Sequence, residues 1–303
     1  MFKVLIILAI FVNIVAAKKI TPSEVYSQVM LITDEIDALL KHYDIPHDKD
    51  GIIKRVEVST KLKPRNVWQK SYEIMVKINI LRNEYNLPII EPVNMAPVLN
   101  LNPDLVYEQT QRVLTEIKIF KQRVGIKNKA FKTLTYKGKT PLDVFNGLSY
   151  ISASFDELNK GEVTPSFVFG ENMRVYDDIS LILEYFNIED KTIPAKKNIE
   201  ATPTDTFNVG MKTLEKIKQL QIIAGIDFVD FSRFKKDNST PSEVFSITQM
   251  ILSELQTIKA YIGLKTITPA AVSYKTKTPP EVDQLMSWNL RKLELIKTLN
   301  RGR

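Results

Sequence analysis

The sequence predicts an all-α protein: eight repeated helices of about 22 residues, joined by long linkers and arranged as two tandem four-helix units. Three observations predict it. A proline-led motif recurs at a nearly constant period, each copy carries helix start and stop signals, and the trailing linker is missing after the fourth and eighth copies. The motif is proline, two variable residues, a β-branched residue and usually an aromatic. It begins at Pro22, Pro64, Pro103, Pro141, Pro165, Pro203, Pro241 and Pro279, with steps of 42, 39, 38, 24, 38, 38 and 38 residues. A fixed period of this size marks an array of like supersecondary units.

Each copy opens as a helix. Thr21, Thr140, Thr164, Thr202, Thr240 and Thr278 stand directly before the proline, with Lys63 and Asn102 in the other two copies. A threonine or asparagine cap accepts from the first-turn amides, and proline after it gives up only a donor that has no partner there. Glu24, Asp143, Asp205, Glu243 and Glu281 fall three residues after the cap. The three glutamates complete capping boxes, and all five acids face the positive end of the helix dipole.

Counting from each proline, offsets 3, 10, 14 and 17 are predominantly apolar. Offset 14 reads Ile36, Ile78, Ile117, Phe155, Ile179, Ile217, Leu255 and Leu293. Spacings of three and four residues place these side chains on one helical stripe facing a common core. Offset 22 holds Asp44, Asn86, Gly125, Asn187, Gly225 or Gly263, each followed by Ile or Leu. Those residues enter the left-handed conformation that ends a helix, and the apolar residue closes over the last turn.

The 24-residue step from Pro141 to Pro165 matches the 24 residues from Pro279 to Arg303. The fourth and eighth copies therefore each have a helix and no linker, as a tandem duplication would leave them. Asn159-Lys160-Gly161 reads as a helix stop. The expected organisation is a signal peptide at 1–17, one four-helix repeat unit at 18–162 and a second at 163–303. The linkers are long enough to return along a whole helix, since thirteen extended residues reach roughly 43 Å. Val56-Glu57-Val58-Ser59 and Thr133-Leu134-Thr135-Tyr136 alternate as extended chain does. Helices of one unit are then expected to point the same way, with an up-down bundle as the alternative.

At the N-terminus, Lys3 precedes an apolar run from Val4 to Val15, and Val15-Ala16-Ala17 supplies the small residues of a cleavage site before Lys18. A periplasmic or secreted location is expected, preferably a bacterial periplasm. The chain has no cysteine, which excludes disulfides, thiolate metal sites and cysteine nucleophiles.

Candidate chemistry is sparse. His42 and His47 lack matching ligands in the other copies, so no metal is expected. Asp48, Asp50, Gly51 and Glu57 imitate a calcium loop, but Pro46 stands at its first position and the segment reads as a polar turn. No nucleophile–base pair or glycine-rich phosphate loop is present, so neither catalytic residues nor a cofactor are expected, and the chain is read as non-enzymatic. The aromatics after the proline read as core. Offset 7 (Val29, Ser71, Thr110, Leu148, Asn172, Gly210, Thr248, Met286) mixes small and polar residues, leaving either close helix approach or room for an apolar ligand within one bundle. The net charge is +7. Its clearest concentration is Lys127, Lys129, Lys132, Lys137 and Lys139, a candidate surface for anionic lipid or cell-wall polymer. Nucleic acid is not an expected partner.

The sequence thus points to a binding or scaffold module of the cell envelope whose partner is another envelope protein. A carrier of a lipid or other apolar small molecule is the first alternative, and an electrostatic binder of an anionic surface the second. Fragments 18–162 and 163–303, expressed separately, are expected to be helical by circular dichroism and to melt cooperatively. Loss of folding in both fragments, with the whole chain folded, would show one indivisible domain.

Overall fold

The computed structural model describes residues 19–127, 131–161, 163–234 and 238–300. The expected signal peptide and Lys129 lie outside them. Among the described residues the regular elements are helices, with no strand. Eight helices begin at the motif prolines: α1 (Pro22–His42), α3 (Pro64–Glu84), α4 (Pro103–Arg123), α5 (Pro141–Leu158), α6 (Pro165–Tyr185), α7 (Pro203–Ala224), α8 (Pro241–Tyr261) and α9 (Pro279–Glu294). Six span 21 or 22 residues, while α5 and α9 span 18 and 16.

A further helix, α2 (Lys49–Val56), occupies the first linker and corrects the polar-turn reading. The Asp48 carboxylate accepts from the Gly51 amide and caps this helix rather than standing beside an open loop. Val56 is its last residue, so the extended segment begins only at Glu57. Lys49 pairs with Asp37 of α1 at 2.7 Å, and the Tyr150 hydroxyl of α5 donates to the same carboxylate, which ties α2 to both neighbours.

The start signals act as read, and more widely. The acids Glu24, Asp143, Asp205, Glu243 and Glu281 all accept from the amide of their cap residue, so the two aspartates complete the box as well. In α3 the Asn66 side chain accepts from the Lys63 amide. The stops are equally regular. Asp44, Asn86 and Asn187 take φ of 50–53°, and the glycines at the same offset take 70–84°. Each following apolar residue donates its amide back to the carbonyl five residues earlier, as Leu87 does to Arg82 at 2.8 Å.

Helix α1 packs on α4 and α5, and α3 packs on the same two; α6 packs on α8 and α9, and α7 packs on the same two. The prolines and offset-3 valines of α1, α3, α4 and α5 line one small apolar gap, so all four helices start at the same end and run parallel. The starts of α6, α7, α8 and α9 meet in the same manner.

The linkers therefore run back along the bundles, held by side chains. Asn79 clamps both the amide and the carbonyl of Ile90, and Asn146 does the same for Val58. At Gly170 a Cβ would lie 2.5 Å from the Val272 carbonyl, so only glycine admits the linker that crosses α6. The offset-7 positions are buried, and a Cβ on Gly210 would touch Ile247 of α8 at 3.0 Å. At Gly210 close helix approach accounts for the small residue.

The two groups also repeat each other's polar contacts. Glu35 of α1 pairs with Lys121 of α4, as Asp178 of α6 pairs with Lys259 of α8 at 2.6 Å. Arg82–Glu116 joins α3 to α4 where Gln221–Glu254 joins α7 to α8. Lys139 lies over Tyr26 beside Tyr136, and Lys277 lies over Phe169 beside Tyr274. Breaking a buried pair strands a charge at a cost of about 3–5 kcal/mol. Lys259→Met is expected to cost about that much in urea denaturation, and adding Asp178→Leu to recover most of it. Full stability in Lys259→Met would show that the pair contributes nothing.

Candidate functional site between the helix groups

The second group meets the first through α3 and α8, which run antiparallel. Arg65 near the start of α3 forks onto Glu254 near the end of α8 at 2.9 and 3.0 Å, while Lys77 near the end of α3 reaches Ser242 at the start of α8 at 2.7 Å. Gln69 donates to Gln249 between them. Both helices are consequently buried on nearly every side.

Beside this seam lies a cleft of about 290 Å³. Phe145 of α5, Phe207 of α7, Phe234 of the α7–α8 linker and Ile247 and Met250 of α8 give it apolar walls. Two of the post-proline aromatics, Phe145 and Phe207, thus serve both core and cleft. Its polar lining includes Lys70 and Lys77 from α3, Asp156 from α5, and Ser242 and Ser246 from α8, together with Arg55, Glu157, Lys160 and Glu243. Lys70 Nζ contacts Glu73 Oε1 at 2.7 Å and Ser246 Oγ at 3.0 Å, and Lys77 Nζ contacts Asp156 at 2.7 Å.

Glu73 is fully buried, and its second carboxylate oxygen, Oε2, has no hydrogen-bond partner among the described residues. Burial opposes its ionisation, but the Lys70 and Lys77 ammonium groups outweigh burial and hold its carboxyl below the ordinary range. Burial, reinforced by Lys77, pushes the Lys70 ammonium down despite Glu73. The arrangement is a slot of mixed lining that holds a compact buried polar cluster, of a size suited to a small molecule.

Of the five candidate surface lysines, Lys127, Lys132 and Lys137 are exposed and Lys129 is outside the described residues. Lys139 is drawn in, paired with Asp143 at 3.5 Å and lying over Tyr26. His47 hydrogen-bonds Tyr150 and His42 packs edge-on against Tyr43, so the two histidines do not converge. No group of three metal-ligating side chains occurs among the described residues, and none of their helices is long and apolar enough to cross a membrane.

The cleft residues escape sequence reading because Lys70, Glu73 and Lys77 have the spacing of a solvated helix face. The available signal is that α3 carries apolar residues off its stripe, Tyr72, Met75 and Val76, and so is apolar beyond one face. Comparison with protein-family models, curated proteins and solved structures finds no match for this chain.

Glu73 has a folded-state pKa below its ordinary 4.5, so its contribution is present above that pH and lost as pH falls through the folded value. Glu73→Gln is expected to cost about 3–5 kcal/mol at pH 7 and to flatten the loss of stability below pH 4.5, read by urea midpoints across pH. A variant with the wild-type acid profile would show that this carboxylate is not the titrating group.

Proposed function

We propose that this chain is an exported, non-enzymatic binding protein of the cell envelope, built from two tandem four-helix units. The repeated neighbour pattern and the repeated polar pairs support duplication. The reading carries over the sequence expectation of export with cleavage before Lys18.

The observation that carries the function is the cleft between the groups. Its mixed apolar and polar lining favours a small amphipathic molecule, with its apolar body among Phe145, Phe207 and Met250 and its polar end toward Lys70 and Ser246. The carrier alternative therefore gains over the protein-contact expectation, with the ligand between units rather than inside one bundle. Attachment to an anionic surface keeps the support of three exposed lysines, Lys127, Lys132 and Lys137.

Native mass spectrometry of protein recovered from its own host tests both halves of this reading. An adduct of a few hundred daltons is expected, on a chain beginning at Lys18. Ser246→Trp, which drives a ring into the cleft, is expected to lose the adduct while keeping its helical circular dichroism. No adduct on the wild type, or one retained by Ser246→Trp, overturns the cleft assignment; a mass that includes residues 1–17 overturns cleavage.

A further inference from the structure

The contact between the two groups centres on the second long helix of the first group, α3, and the third of the second group, α8, with Ser242–Asp156 and Arg174 against Tyr72 and Asn94 beside it. The repeated polar pairs match α3 with α7 and α4 with α8. Each partner in the α3–α8 contact thus has a counterpart not used in it: α7 in place of α3, and α4 in place of α8. A contact of this head-to-tail kind is not self-closing and can be repeated between molecules.

The counterpart faces are complementary over part of their length. Superposing registers by offset from the proline, Gln69–Gln249 becomes Asn208–Gln111, and Lys77–Ser242 becomes Lys216–Asp104. Ser246, which accepts from Lys70 and donates to Glu73, becomes Glu108, and Glu73 becomes Lys212. Two contacts that are polar within the chain thus become opposite charges, Lys212–Glu108 and Lys216–Asp104, whereas Arg65–Glu254 and Asn66–Glu254 become Thr204–Glu116 and Asp205–Glu116, which carry no attractive pair.

Asn208, Lys212 and Glu108 are exposed, and Lys216, Gln111 and Asp104 are partly so. Lys297, an exposed cation, and Glu294, an exposed acid, both lie near Lys216. On α4, Arg112 is turned aside to the Glu91 carbonyl, and Asp104 accepts from the Ile20 amide through one carboxylate oxygen. Gln28, beneath Gln111 and bonded to it, has a buried side-chain nitrogen with no partner among the described residues. In the second group Gln249, the counterpart of Gln111, is bonded on both sides, to Glu171 (the counterpart of Gln28) and to Gln69 across the seam.

We infer that a second copy of this chain docks here, the α4 ridge of one molecule against the α7 face of the next, repeating between molecules the contact that α3 and α8 make within one. The inference rests on the correspondence of the two helix groups and is independent of any ligand in the cleft.

Sedimentation velocity of the full chain over a concentration series tests it. Mass is expected to rise with concentration and to fall back in high salt. Lys212→Glu and Glu108→Lys are each expected to weaken association by about tenfold or more, because each places like charges across the contact. An equimolar mixture of the two variants is expected to associate again. The glutamate introduced on α7 of one then meets the lysine introduced on α4 of the other, while the remaining ends keep the native pair. Both substitutions are on exposed side chains, and circular dichroism checks the fold. A chain that stays monomeric at every concentration, association untouched by either reversal, or a mixture no stronger than its components would each overturn the proposal.

Discussion

The parallel direction of the helices within each group governs the rest of the structure. Four starts at one end align four dipoles, each equivalent to roughly half a positive charge at its N-terminus. An antiparallel bundle would cancel these fields. Here the acids at the caps answer them, with Glu24, Asp104 and Asp143 in the first group and Asp205, Glu243 and Glu281 in the second. Hydrogen bonds from the cap threonines hold the Asp205 and Glu281 carboxyls below their ordinary range, so they stay charged where the field is strongest. The same geometry demands long linkers. Each must travel a helix length with its peptide groups unpaired by regular structure, which is why Asn79, Asn146, Arg82 and Arg174 turn side chains onto linker backbone.

Antiparallel pairing of α3 with α8 then sets the dipoles of one group against those of the other. The contact is polar where a core would be apolar. Arg65–Glu254 and the Lys70, Glu73, Lys77 and Asp156 cluster add little net energy relative to well-packed apolar residues, because burial removes most of what the charges gain. They do penalise misplacement: sliding α8 along α3 would strand several charges at once. The seam therefore fixes register more than it adds stability.

Fold class, helix starts and helix stops were legible because each rests on local chemistry. Thr202 with Asp205, or Asn86 before Leu87, needs no knowledge of distant residues. What the sequence could not convey was long-range. Helix α2 hides in a linker because its support comes from Asp37 and Tyr150, the latter remote in sequence. Lys139 read as a free surface cation, yet Tyr26 and Asp143 hold it. Lys70 and Lys77 read as solvated, since their burial depends on α8, whose serines lie 176 and 165 residues further along the chain. The post-proline aromatics were legible as core, but not as cleft walls, because the cleft exists only where two groups meet.

The cleft itself follows from how linkers are distributed. In the first group, linkers bind over α1, over α5 and between α3 and α4, through Tyr136–Tyr26, Asn146–Val58 and the pair Asn79–Ile90 and Arg112–Glu91. The remaining side, between α3 and α5, receives α8 instead, whose Ser242 reaches both Lys77 and Asp156. A single helix fills such a groove incompletely, and the unfilled part is the slot beside Phe145 and Met250. On the proposed duplication, the doubling of the unit is what creates the site: one group supplies an uncovered groove, its copy supplies the helix that half closes it, and neither holds the cleft alone.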